Sequence, residues 1–232
     1  MTQPNRTASL QTRNGSTSVT ILEIAERLFG DYGVEGVSIR QIGLEAKAAN
    51  KSAVSYHFGG RADLVRAIWM HRLPILDQMR RALLDKIDLS GKTDDRHAIV
   101  SALMLPNFQL VDAHGMHRYA AFLRSVMRWR EGRILRAQEM HASPASQEGL
   151  EMLSALAANI PPGLLRWRLS YAAIAFLDMI VDRDHDLEEG HLVLPESRFL
   201  QEAIDMVVAH CFRPEPPPDL GLASLDHRLT SN

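Results

Sequence analysis

Residues 38–64 read SIRQIGLEAKAANKSAVSYHFGGRADL, two short helical patterns on either side of a lysine-alanine turn. Ser38-Ile39-Arg40-Gln41 matches a capping box, in which the serine oxygen and the glutamine side chain satisfy exposed amides reciprocally. The spacing predicts a helix over about 39–46 that buries Ile39, Ile42 and Ala46. Arg40 is left on its outer side near the N-terminus, where helix amides and a cation can share a phosphate. Lys47-Ala48-Ala49 makes the turn, and Asn50 caps a second short helix, residues 51–58. On a helical wheel Lys51, Ser52, Ser55 and Tyr56 share one face, with Val54 and Phe58 opposite and His57 flanking. Gly59-Gly60 ends this helix. Two short helices, the second with a polar face free of large aliphatic groups, describe a helix-turn-helix that lays its second helix in a DNA groove.

Upstream, Ile21, Leu22, Ala25, Leu28, Phe29 and Tyr32 recur at helical spacing, predicting a first helix over 17–32 that Gly33 stops. Residues 1–16 lack apolar periodicity and carry no secretory signal. They read as a flexible arm in which Arg6 and Arg13 either track a nucleic-acid backbone or are simply solvated. Downstream, helical patterns cover about 61–88, 94–113, 116–130, 147–158, 163–182 and 195–212, with Pro74 expected to kink or divide the first. No alternating run of strand length appears, so the expected fold is all-α. Residues 214–232 open Pro-Glu-Pro-Pro-Pro and read as a disordered tail. The resulting division is an arm (1–16), a three-helix DNA-binding domain (17–62), a helical effector-binding and dimerisation domain (63–213) and a tail (214–232).

Composition narrows the function classes. The 232 residues are 46% hydrophobic and 23% charged, an ordinary globular balance, with a net charge of −2. A polybasic coat over the whole molecule is excluded, but the charge is uneven. Residues 1–72 hold 9 Lys+Arg against 6 Asp+Glu, hence +3; the remainder holds 17 against 22, hence −5. A slightly positive head on an acidic body suggests that one end meets an anion. The single cysteine, Cys211, forms no internal disulfide, which suits a reducing, cytoplasmic setting. The longest apolar stretch, 169–181, is broken by Asp178 and is shorter than the roughly 20 residues of a membrane span.

The first helix, then Gly33-Val34-Glu35-Gly36-Val37-Ser38-Ile39-Arg40-Gln41-Ile42, then Tyr56-His57-Phe58-Gly59-Gly60-Arg61-Ala62-Asp63-Leu64, resembles the TetR family of bacterial transcriptional regulators over about residues 17–72. The Tyr-His-Phe segment followed by a glycine turn and a basic residue is the most specific part. The resemblance implies a homodimeric, ligand-responsive repressor that grips a palindromic operator in double-stranded DNA. By position, Lys51, Ser52, Ser55 and Tyr56 correspond to recognition-helix contacts, Arg40 and Arg61 to flanking phosphate contacts, and His57 to an adjacent aromatic position. Two departures stand out: the turn Lys47-Ala48-Ala49 has no glycine, and Ile42 to Phe58 counts one residue more than the commonest family spacing. Asn50 is therefore a cap, a base contact, or both.

In the body, Arg118, Tyr119, Phe122, Met127 and Trp129 run along one helix, as a core stripe or as the wall of a pocket for a small-molecule effector. Asp178, inside an apolar helix, either pairs with an arginine across a dimer interface, orients a ligand, or faces solvent. Arg118, Tyr119, Phe122 and Asp178 are thus the candidate pocket residues. His114 and His117 have a chelating spacing but no nearby carboxylate or cysteine in the segment, and the acidic-histidine run 182–191 reads as a solvated loop; no metal or cofactor is expected. Nucleophile-elbow, phosphate-loop and zinc-protease motifs are missing from the sequence, so an enzyme is not expected. The rival reading is a helical small-molecule or protein-interaction module without DNA-binding function.

Overall fold

The computed structural model describes residues 6–46, 53–139 and 142–214. Among them there is no strand, as the sequence predicts, and there are ten helices, one more than expected: α1 (Arg6–Tyr32), α2 (Ile39–Glu45), α3 (Ala53–Phe58), α4 (Arg61–Ser90), α5 (Arg96–Gln109), α6 (Arg118–Arg128), α7 (Arg130–Glu139), α8 (Pro144–Ala155), α9 (Pro162–Glu188) and α10 (Glu196–Phe212). Residues 47–52, which include the expected Lys47-Ala48-Ala49 turn, and 215–232 lie outside the described residues.

The helical backbone of α1 begins at Arg6, well ahead of the expected start at Thr17 and within the stretch expected to be a flexible arm. Ala8, Leu10, Gln11 and Arg13 are good helix formers, and extending a formed helix avoids the cost of nucleating one. The apolar stripe that revealed α1 is buried as expected, with Ile21, Ala25 and Phe29 fully enclosed. Gly33 follows at φ +79°, a left-handed position that a side chain would strain. Ser38 caps α2 by accepting from the Gln41 amide at 3.1 Å, although the Gln41 side chain does not return the bond.

α4 is 30 residues long, about 45 Å at 1.5 Å per residue, and runs from the three-helix head into the body. Pro74 does not divide it. Leu73 and Leu76 on either side are buried, and their packing outweighs the one hydrogen bond that proline removes. Gly60 N–H is held by Asp63 Oδ2 at 3.1 Å at its start, and Gly91 ends it in the left-handed conformation.

In the body, α5 and α8 pack against α4, α9 packs on α5 and α6, and α10 closes over α5 and α9. One continuous core runs from Val37 and Val54 in the head to Val207 and Cys211 in α10. Cys211 is fully buried, and burial pushes its thiol up to about 11. Two parts of the body differ from expectation. α7 was not apparent because Ile134 and Leu135 are its only large apolar residues. α9 continues to Glu188, so most of the supposed acidic loop is helical, and Asp184 is buried rather than solvated. Asp184 accepts the His117 amide and faces His117 Nδ1, each at 2.7 Å, fixing the entry to α6.

Candidate nucleic-acid interface and body cavity

The short α3 is placed by two residues one turn apart. Val54 is fully buried and Phe58 packs against the core, so the opposite side of the helix is turned outward. Tyr56 stands there 85% exposed, its ring edge-on to His57 with centroids 5.4 Å apart. His57 in turn tilts against Phe58 at 6.2 Å. The exposed phenol is accessible to a partner, and its hydroxyl can donate to a phosphate oxygen. Ser55 lies on α3 between Val54 and Tyr56. Asn50, Lys51 and Ser52 lie outside the described residues, as does the Lys47-Ala48-Ala49 turn.

Arg40 is exposed on α2, and no ion pair holds it among the described residues. It is available to an external anion. Arg61 is engaged differently: its Nη2 donates to Val37 O at 3.1 Å and its Nε is buried. That bond ties the first turn of α4 to the segment before α2, so Arg61 braces the head from within. Arg27 is paired with Glu45 and Asp31 and offers little free charge.

The head is fastened to the body through α1 and α6. Gly30 lets the two helices approach so closely that a Cβ there would meet Ala121 Cβ at 3.0 Å and Phe122 N at 3.2 Å. Val34 N–H donates to Ser125 Oγ at 2.9 Å, and Arg118 reaches Asp31 at 3.2 Å. Below them Arg72 of α4 grips Glu26 of α1 with both Nε (2.7 Å) and Nη2 (3.0 Å). Glu26 is buried, and its hydrogen bond raises the Arg72 pKa against the opposing effect of burial.

The other side of α6 faces a cavity of about 200 Å³ in the middle of the body. Tyr119, Leu123 and Met127 project into it at successive turns of α6. α4 contributes Trp69, Leu73, Leu76 and Arg80, and the floor includes Leu103 and Asn107 of α5 and Phe176 of α9. The walls are mainly apolar with a few polar groups, the usual make-up of a small-molecule site. Arg80 is 8% exposed, and its Nε donates to Leu103 O at 3.3 Å. Burial lowers its pKa, while neighbouring Tyr119 and Asp77 act in the opposite direction. Burial likewise pushes the Tyr119 phenol well above its usual value, so it remains a neutral donor.

Of the four pocket residues anticipated, only Tyr119 lines this cavity. Phe122 is fully buried on the α1 side of α6, its ring 6.5 Å from Phe29. Arg118 sits among Asp31, Asp112 and Glu188 at the polar entry to α6. Asp178 is bound by Arg128 within the same chain, at 2.7 and 2.9 Å, with Arg124 4.0 Å away. Its helix turns it toward α6 and away from the cavity. Arg80 and Asn107 were missed. Arg80 belongs to the run Gln78-Met79-Arg80-Arg81, and the alternation of Leu73, Leu76, Arg80 and Leu84 on one face was the available signal. Among the described residues no cluster of three or more metal-ligating side chains occurs. No described helix is long and apolar enough to cross a membrane.

Comparison with known proteins agrees with this geometry. Residues 21–68, from the buried stripe of α1 to the first turns of α4, match the family model described as bacterial regulatory proteins, tetR family. No curated protein matches the chain. Among solved structures, a protein from Shewanella sp. PV-4 assigned to the tetR family of transcription regulators is similar at a TM-score of 0.58 and 17% identity. The alignment covers 82% of this chain and 95% of that one, so the shared fold extends through the helical body.

Proposed function

From a tetR-type N-terminal domain set on a helical body, we propose that the protein is a homodimeric, ligand-responsive transcriptional repressor acting on a palindromic operator. The observation that carries the reading is α3: Val54 and Phe58 anchor it, and Tyr56 faces outward within the segment that matches the regulator family. Each subunit lays this helix in the major groove, with Lys51, Ser52, Ser55 and Tyr56 toward the DNA and Arg40 on a flanking phosphate. His57 orients the tyrosine ring, Arg61 holds the head together, and Asn50 caps or contacts at the start of the helix.

Two copies pair through α9 and α10, where Trp167 and Tyr171 stand half exposed one turn apart with ring centroids 4.7 Å from each other. Two-fold symmetry then presents two heads to the two halves of an inverted repeat. An effector in the body cavity contacts one side of α6 while α1 rests on the other. A ligand that prefers one placement of α6 therefore biases the separation of the heads, by no more than its differential affinity for the two states. The match to a regulator family supports the reading of a regulator rather than an enzyme.

The test is selection of operators from random double-stranded DNA with the purified full chain at two salt concentrations. The expected result is an enriched inverted repeat bound less tightly at the higher salt, because each phosphate contact releases counterions. Folded, effector-free protein that enriches no sequence at either salt would refute the DNA-binding reading and leave an interaction module.

A further inference from the structure

Among the described residues Arg80 makes no ion pair, and it stands at the wall of a mainly apolar cavity. Its Nε is used by the Leu103 carbonyl. Asp77, one turn earlier on the same helix, acts on it without forming an ion pair, and its Oδ1 accepts from Ser143 Oγ at 2.6 Å and from the Ala145 amide at 3.0 Å. A guanidinium stays protonated even when burial lowers its pKa, and taking that cation out of water carries a cost that nearby Asp77 offsets only in part. The fold tolerates that cost at the lining of a cavity, where an incoming anion relieves it. Two further groups there lack partners: the Tyr119 hydroxyl makes no hydrogen bond among the described residues, and Asn107 Oδ1 is buried without a donor.

Resting on the reading of the body as an effector-binding domain, we propose that the cavity binds an amphipathic monocarboxylate. Its carboxylate pairs with Arg80, and its hydrocarbon part lies against Trp69, Leu76, Leu123 and Phe176. The planar fork of Arg80 matches a carboxylate, and the Tyr119 hydroxyl is a neutral donor to the same head. A dianion such as a phosphate monoester fits less well, because one guanidinium neutralises only one of its charges in an apolar surround. Asn107 Oδ1 takes a hydroxyl of the ligand or a water carried in with it. The size is set by the cavity: an apolar hole of about 150 Å³ holds a benzene ring, so about 200 Å³ takes a substituted phenyl ring or a chain of about eight carbons.

Calorimetric titration of the full chain at pH 7.5 with octanoate, octanamide and 1-octanol tests this without DNA. Octanoate is expected to bind at least tenfold more tightly than either neutral analogue. Arg80→Met keeps the apolar stem and removes the charge; it should lose at least tenfold in octanoate affinity while 1-octanol binds as well or better. Arg80→Lys keeps the cation without the fork and should fall between, which guards against a fold defect in the methionine variant. Octanoate binding no tighter than octanol, no binding of octanoate at all, or an Arg80→Met protein with undiminished octanoate affinity would overturn the assignment. The operator reading stands or falls separately, since this titration contains no DNA and the operator selection contains no ligand.

Discussion

Tyr56 presents a large aromatic surface at 85% exposure on the outward side of α3. Among the described residues its ring meets His57 edge-on, so little of the fold depends on its hydroxyl. Tyr56→Phe removes one oxygen and leaves that aromatic contact. If the hydroxyl donates to a phosphate, the loss is that of one hydrogen bond to a charged group, about 1.5 kcal/mol or roughly tenfold in operator affinity. The melting temperature should not change. Fluorescence anisotropy with the selected operator measures the first quantity and circular dichroism the second. Equal affinity of the two proteins would remove Tyr56 from the phosphate contacts. Arg61 gives the contrasting case. The resemblance places it among the phosphate contacts, and in the structure one of its nitrogens, Nη2, donates inward to Val37 O. A basic residue after a glycine turn is visible in sequence, whereas the direction its side chain takes depends on a carbonyl 24 residues earlier.

Among the elements, α1 and α6 join head and body, and a Cβ on Gly30 where they cross would make an unusually tight contact. The obstruction includes backbone atoms of Ala121 and Phe122, which cannot rotate out of the way. Gly30→Ala should therefore cost about 1–3 kcal/mol through overpacking, more than the roughly 0.5–1 kcal/mol that alanine gains over glycine within a helix. A fall of several degrees in melting temperature is expected. Gly163→Ala, in the first turn of α9 with open space where its Cβ would lie, should be neutral or slightly stabilising. A Gly30→Ala protein as stable as the parent would show that α1 and α6 can separate freely. Elements were legible where one face was strongly apolar, as in α1, α2, α3 and α10. They were misjudged where tertiary contacts supply the reason for the structure. α7 has two large apolar residues, and the end of α9 is fixed by Asp184 reaching His117 of a distant segment, which no local period encodes.

At the scale of the molecule, the regulator-like architecture was readable because a polar reading face, a glycine turn and a charge step from +3 to −5 are all properties of sequence order. The cavity was not, since its polar groups come from α4, α5 and α6 and meet only when five helices pack. Asp178 shows the same limit: an aspartate in an apolar helix reads as buried or shared between subunits, yet Arg128 of its own chain binds it. That pairing shifts attention along α9 to Trp167 and Tyr171 as the groups left for a second subunit. Two aromatic rings, about half exposed and one turn apart, form the anchor expected at the centre of an interface. Trp167→Glu combined with Tyr171→Glu places two like charges there, facing their own copies across a two-fold axis. Both side chains are only half buried within the subunit, where Trp167 lies 6.3 Å from the His210 ring, so the variant should stay helical with a modest fall in melting temperature. Light scattering should report a dimer for the parent, about twice the 26.0 kDa chain mass, and a monomer for the variant. Operator affinity should fall at least a hundredfold, because two heads that bind an inverted repeat as one body would then have to bind as two. A variant that remains dimeric would move the interface off this face of α9, and a monomer that retains full operator affinity would show that one head suffices.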